Sequence, residues 1–331
     1  MGKSYVDYDL PMLDLSLPDL PITHSREIYD EIKINISFED LNASMRFHLE
    51  QQHAYSIILD RVSSGLGEVF FIDGLGWTRK TYLYRALLVM IRSRRMIAIA
   101  TKISSVASSF IPGGRTSHSR LIIPINLNES SLCNITKQNG TTELLRKASI
   151  IVWDEAPMAF FWVIKVVDRN LRDIMDNQLV FGGKIIVFGR DFKQVLPVVP
   201  HATRVETMNA SLVMSYLWPK MEKLRLTRNM RAQLDTTFSD FLLRIGDGDE
   251  NSTNEDMINI PDHMLVQYKH GDDPEKCMIN TIFPSLREHA NSSKYIKERA
   301  ILTTKNEFVD IMNEKLIAMF LGEFKAYYSF D

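Results

Sequence analysis

The stretch that most constrains this chain is Gly74-Leu-Gly-Trp-Thr-Arg-Lys-Thr81, set between the apolar run Val69-Phe-Phe-Ile72 and Tyr82-Leu-Tyr-Arg-Ala-Leu-Leu-Val-Met90. An apolar run of strand length, a glycine-bearing turn and a helical pattern, in that order, predict a strand, a tight turn and a helix. The pattern G-x-x-x-x-G-K-[ST] wraps the N–H groups of a helix N-terminus around phosphates, adds a lysine that neutralises them and a hydroxyl that holds Mg²⁺. Gly74, Lys80 and Thr81 match it at the right spacing, and Gly76 and Thr78 fill the loop between them. Arg79 stands where the pattern has its second glycine.

Further apolar runs repeat the same grammar. Met96–Ala100, Ser149–Trp153 and Lys184–Gly189 each have strand length, and the last two run out into Asp154-Glu155 and Asp191. Strands alternating with helical stretches predict an α/β fold with a parallel sheet flanked by helices. Ligands bind such sheets at the carboxyl ends of the strands, so these residues are expected to converge on the Gly74–Thr81 loop. Asp154 is then expected to hold Mg²⁺ and Glu155 to take a proton from an attacking water. The alternative is an exposed acidic pair capping the following helix. Gln194 and Arg231 are candidate readers of a γ-phosphate, although each taken singly is an ordinary surface residue. Gln51 opens a helical pattern running from Phe47 to Val62 and has a plain solvated reading beside a functional one.

With 331 residues and 45% hydrophobic content, about two domains are expected. A net charge of -2 makes no global electrostatic case for nucleic acid, so any such binding has to come from local patches. Arg92-Ser-Arg-Arg95 is one basic stretch, but it closes a helix, where cations complement the macrodipole. Cys133 and Cys277 are too few and too far apart for a disulfide framework or a zinc cluster. No apolar run approaches the roughly 18 residues of a membrane span, and Asp7, Asp9 and Asp14 replace a basic leader, so a soluble intracellular protein with no membrane partner is expected. Pro11, Pro18 and Pro21 predict that residues 1–45 form an extended lead-in.

GLGWTRKT, GGRTSHS, IIVWDEAPM, VFGRDFKQVLPVV and LTRNMR follow one another in the order and approximate spacing of the petite-integration-frequency family of superfamily 1B DNA helicases. The chain resembles this family over roughly residues 45–320, and most closely its plant Helitron-associated type. The resemblance implies a RecA-like P-loop fold that hydrolyses ATP with Mg²⁺, translocates 5′ to 3′ on single-stranded DNA and unwinds duplex DNA. It also implies nuclear residence and work in repair, recombination and telomere maintenance. By position, Gln51 resembles the adenine-reading glutamine, with His48 in place of the usual asparagine. Lys80 and Thr81 resemble the phosphate and Mg²⁺ ligands, Asp154 and Glu155 the metal and base pair, Gln194 the γ-phosphate sensor and Arg231 the arginine finger. Arg115 and His118 resemble a DNA-facing segment that contacts phosphate or stacks on a base; a polar surface turn is the alternative. The implied organisation is a RecA-like ATPase lobe at 46–232 and the start of a second RecA-like lobe at 233–331.

Three family glycines are replaced, by Trp77, Arg79 and Arg190. Glycine serves where backbone approaches a ligand or adopts positive φ, and a residue with a Cβ forced there costs roughly 1–2 kcal/mol. Residues 298–316 resemble the opening strand and helix of the second lobe, and the chain ends at Asp331. A truncated chain with weak nucleotide binding and little DNA-stimulated hydrolysis is the expectation, with a non-catalytic nucleotide- or DNA-binding remnant as the competing reading.

Overall fold

The computed structural model describes the chain except for residues 1–24, 77, 104–107, 125–130, 134, 137, 157–160, 191–202, 229, 231–234, 251, 255–256, 291, 304 and 321–331. The chain divides into two compact units, Met1–Asp249 and Glu250–Asp331. This boundary lies beyond the expected one at residue 232, because the helix Thr236–Asp247 groups with the first unit.

In the first unit, α1 (Arg26–Ile32), α2 (Phe38–Leu41) and α3 (Leu49–Ser64) precede β1 (Val69–Gly74) and α4 (Lys80–Ser93). Then follow β2 (Ile97–Lys102), β3 (Arg115–Thr116), β4 (Ala148–Asp154), β5 (Ile186–Arg190) and β6 (Glu222–Leu226). The six strands form one sheet in the order β3-β2-β4-β5-β1-β6, parallel at every pairing. Strand parity divides the core in two. Phe71, Ile99, Ile151, Trp153 and Phe188 point to one face, packed against the helices Gly140–Lys147 and Phe161–Met175. Phe70, Ile72, Ala98, Ala100, Val152 and Val187 point to the other, packed against α3 and α4. Burial on both faces is why these strands read as continuous apolar runs. Edge strand β6 instead alternates buried Leu224 and Leu226 with exposed Lys223 and Arg225, and so lacks the apolar run that marks the other strands.

The helix read from Phe47 to Val62 is α3, which runs from Leu49 to Ser64 and is capped by Gly65, whose φ of 68° gives the left-handed conformation that glycine accommodates without strain. Residues 26–41 depart from the extended lead-in. Glu31 of α1 is buried between two arginines: Arg92 at the end of α4, 3.4 Å away, and Arg120. Asp40 of α2 meets Arg85 at 2.8 Å. These pairs, with Ile28 in the core, hold short helices against the sheet where the proline-rich sequence upstream suggested none. The rest of the expected lead-in, 1–24, lies outside the described residues. Arg92 also donates to the carbonyls of Pro112 and Ala98, and burial lowers its guanidinium to about 10. It is thus a buried structural cation as well as a helix-end charge.

The second unit holds the antiparallel pair Ser252–Asn254 and Met257–Ile258 and the helices Pro274–Ile282, Leu286–His289, Ser293–Lys297 and Asn306–Ile317. Asp273 caps the first of these by accepting the N–H groups of Glu275 and Lys276, and Lys315 meets Asp273 at 2.7 Å. The expected helix is present at 306–317, but 300–303 are not a strand, and no parallel sheet occurs among the described residues of this unit. A strand needs a ladder partner, and the described residues supply none. No helix among the described residues is long and apolar enough to cross a membrane.

Candidate functional site at the carboxyl edge of the sheet

The register of the parallel sheet brings the ends of β1, β5 and β4 to one edge: Ile72 is level with Gly189, and Gly189 with Asp154. The loop leaving β1 turns through Leu75 and Gly76 into α4. Thr78 closes this turn, donating its N–H (2.9 Å) and its hydroxyl (2.8 Å) to the Leu75 carbonyl. Gly74 is needed for close approach, since a Cβ there would lie 2.6 Å from the Thr78 hydroxyl and 3.1 Å from the Leu226 Cβ. Gln51 of α3 is buried and donates from Nε2 to the Thr78 carbonyl at 3.1 Å. The plain solvated reading of this glutamine does not hold.

Arg79 adopts φ 57° and ψ 41° as the residue capping α4, with an exposed side chain. A Cβ in this left-handed conformation costs roughly 1–2 kcal/mol. Position 79 therefore has the backbone for which glycine is suited, and the arginine carries it under strain. Lys80 follows as the first residue of α4; its buried ammonium donates to the Gly74 carbonyl and, at 3.3 Å, to that of Leu75. Thr81 lies half-buried in the same helical turn.

Asp154 ends β4 and is buried. Its Oδ2 meets the Lys102 ammonium at 2.7 Å, and its Oδ1 accepts the Glu155 N–H at 3.1 Å. The Glu155 N–H is also 2.9 Å from the Gly189 carbonyl, which fastens the end of β4 to β5. Glu155 itself sits at φ 60°. Burial and the Asp154 charge push the Glu155 carboxyl above its usual range, while Lys102 and Lys80 pull the other way. Tyr84 of α4 lies directly beneath: its hydroxyl is buried with no hydrogen-bond partner among the described residues, and a Cβ on Gly189 would collide with it. Burial and the neighbouring Asp154 and Glu155 charges raise that phenol well above its ordinary value.

The expected residues Gln51, Gly74, Gly76, Thr78, Lys80 and Thr81 thus lie along one loop and its flanking helices, and Asp154 and Glu155 lie on the same sheet edge. Gln194 and Arg231 lie outside the described residues, as does Trp77, and of Arg190 only the backbone, at the end of β5, is described. Arg115 and His118 are not part of this cluster. Arg115 is on edge strand β3, separated from β1 by three strands, where it is exposed and pairs with Asp30 at 3.3 Å. His118 is half-buried in the short turn of helix after it.

Three residues near the site escaped the sequence reading. Lys102 and Tyr84 sit in apolar runs and match no motif. Glu50 links the start of α3 to the end of β6, accepting the N–H of Thr227 at 2.7 Å and that of Arg228 at 3.4 Å. His48 occupies the N-cap position of α3 without a side-chain capping bond, where an asparagine would supply one.

Comparison with known proteins comes to the same place. The family described as PIF1-like helicase matches residues 46–256. The ATP-dependent DNA helicase Pif1 of Psychrobacter sp. is 28% identical over 134 residues, 40% of this chain and 20% of that protein. The ATP-dependent DNA helicase PIF7 of Trypanosoma brucei brucei is 27% identical over 215 residues, 60% of this chain and again 20% of the relative. The chain therefore spans about a fifth of the length of these curated relatives. The crystal structure of the Bacteroides Pif1 helicase in complex with ADP-AlF3 and ssDNA superposes with a TM-score of 0.53 at 21% identity, over 62% of this chain and 47% of that one. A second structure, of two coordinating Pif1 helicases at forked dsDNA, gives 0.51 at 22% identity, over 62% and 49%. At these identities the structures speak for the fold.

Proposed function

Because the chain belongs to the PIF1-like helicase family, we propose that its first unit is the nucleotide-binding lobe of an ATP-dependent DNA helicase, of the type found in plant Helitron transposons, moving 5′ to 3′ on single-stranded DNA. The observation that carries this reading is the shared sheet edge: the Gly74–Thr81 loop at the N-terminus of α4 and the Asp154-Glu155 pair at the end of β4. In this reading the loop N–H groups and the Lys80 ammonium bind the β- and γ-phosphates. Gln51 braces the loop through the Thr78 carbonyl and faces the base. Glu155 orients the attacking water and takes its proton; a carboxyl pushed upward is a stronger base once ionised. Gln194 and Arg231 would complete the charge around the γ-phosphate. Arg115, on edge strand β3, and His118 after it would contact a DNA strand, Arg115 leaving its exposed pair with Asp30 to do so. Nuclear residence and work in repair, recombination and telomere maintenance go with this reading.

The family's Mg²⁺ would draw on the Thr81 hydroxyl and the Asp154 carboxylate. Both Asp154 oxygens already have protein partners, Lys102 on one and the Glu155 N–H on the other. With the Lys102 ammonium already paired to it in a buried position, the Asp154 carboxylate does not fit a divalent cation.

A second reading, a nucleotide- or DNA-binding protein without turnover, is favoured by that ion pair and by the strained Arg79. Steady-state ATP hydrolysis with and without single-stranded DNA separates the two. Stimulated turnover in the range of about 1–100 s⁻¹ common to phosphoryl-transfer enzymes supports the helicase reading. Saturable nucleotide binding with no stimulated hydrolysis supports the second, and no binding contradicts both.

A further inference from the structure

We infer that Lys102 is the resident counter-cation of Asp154, standing where a divalent ion would stand, so that this site takes a nucleoside polyphosphate without a metal. The inference rests on the reading of this edge as a nucleotide site and specifies the form of its ligand. Lys102 is the last residue of β2 and Asp154 the last of β4; the two are level across the parallel ladder, so both side chains leave the same face at the same height. The ammonium and carboxylate meet at 2.7 Å, and both are buried, with side-chain exposures of 6%. An ammonium attached to a rigid strand is present at a high effective concentration, and nothing has to be desolvated for it to arrive.

A Mg²⁺ ion entering here would have to shed part of a tightly held water shell, displace the ammonium from Asp154 and leave it buried beside a doubly charged neighbour. Lys80, whose ammonium donates to the carbonyl of Gly74 at the end of β1, is a second buried cation on this sheet edge. Two lysines thus supply the positive charge that a lysine and a metal would otherwise share.

The test uses the full chain. Mn²⁺ binding is followed by electron paramagnetic resonance without nucleotide, and the affinity for a fluorescent ATP analogue is measured with Mg²⁺ and with EDTA. The wild type is expected to show no bound Mn²⁺ and affinities within about threefold of each other in the two buffers. Lys102→Met keeps an unbranched side chain, one atom shorter, and removes its charge. It is expected to bind Mn²⁺, to lose it again when combined with Asp154→Asn, and to bind nucleotide at least about tenfold tighter with Mg²⁺ than with EDTA. Bound Mn²⁺ in the wild type, a wild-type Mg²⁺ dependence of about tenfold, or a Lys102→Met protein that behaves as wild type would each overturn the inference. If Lys102→Met does not fold, the wild-type measurements decide alone. If no variant binds nucleotide while Lys102→Met gains Mn²⁺, the nucleotide reading falls and the counter-cation stands.

Discussion

Arg79 condenses the problem posed by this chain at the residue scale. Its φ of 57° is the conformation that the glycine of the phosphate-loop pattern would hold without strain, so the loop keeps its path while the residue carrying it has changed. Arg79→Gly is expected to raise stability by roughly 1 kcal/mol, read from the urea midpoint, less than the full left-handed penalty because glycine also loosens the unfolded chain. Arg79→Ala, which keeps the Cβ, is expected to gain nothing. Equal gains from both would place the cost in the side chain instead of the backbone. Lys102 makes the complementary point. Spacing along the chain identified Asp154 as an acidic residue at a strand end, but says nothing of which residue is level with it on the neighbouring strand. That depends on register, and register is set by the packing of the two apolar faces.

At the scale of elements, the central strands and α4 were legible because each is a long apolar run or a strong helical period bounded by a turn. The short helices α1 and α2 were not, since what holds them is a set of contacts from distant positions. Glu31 is the test of that attachment. Glu31→Gln removes the buried carboxylate that Arg92 and Arg120 share, and a loss of about 3–5 kcal/mol in chemical denaturation is expected. A loss below about 1 kcal/mol would show that the triad is solvated and the helix only loosely docked. Lys184, at the entrance to β5, offers a pH-dependent check. Its buried ammonium donates to the carbonyls of Arg146 (2.6 Å) and Ala148 (2.9 Å), and burial lowers it from 10.5 to about 8. Between those values the unfolded chain holds the proton and the folded chain releases it, so stability contributed by this group grows as pH rises through the window and is lost as pH falls through about 8. Denaturation midpoints of wild type minus Lys184→Met are therefore expected to shift in favour of the wild type from neutral to alkaline pH. A difference that stays flat, or falls, would contradict a depressed Lys184.

At the scale of the whole molecule, the first unit follows its local signals closely and the second does not. The helix expected within 298–316 forms at Asn306–Ile317 from its own periodicity, whereas the apolar residues Ile301 and Leu302 form no strand, because a strand is made by its neighbours and not by its own composition. The same reasoning explains why the sheet edge was foreseeable and its internal ion pair was not: convergence follows from topology, occupancy from side chains that only the fold brings together. The proposed nucleotide site requires that the Gly74–Thr81 loop bind phosphates through Lys80. Titration of a fluorescent ATP analogue against the wild type and Lys80→Ala tests it most directly. Saturable binding that weakens by at least about tenfold, or about 1.4 kcal/mol, in Lys80→Ala is the predicted result. Equal affinities in a Lys80→Ala protein that is folded would contradict it.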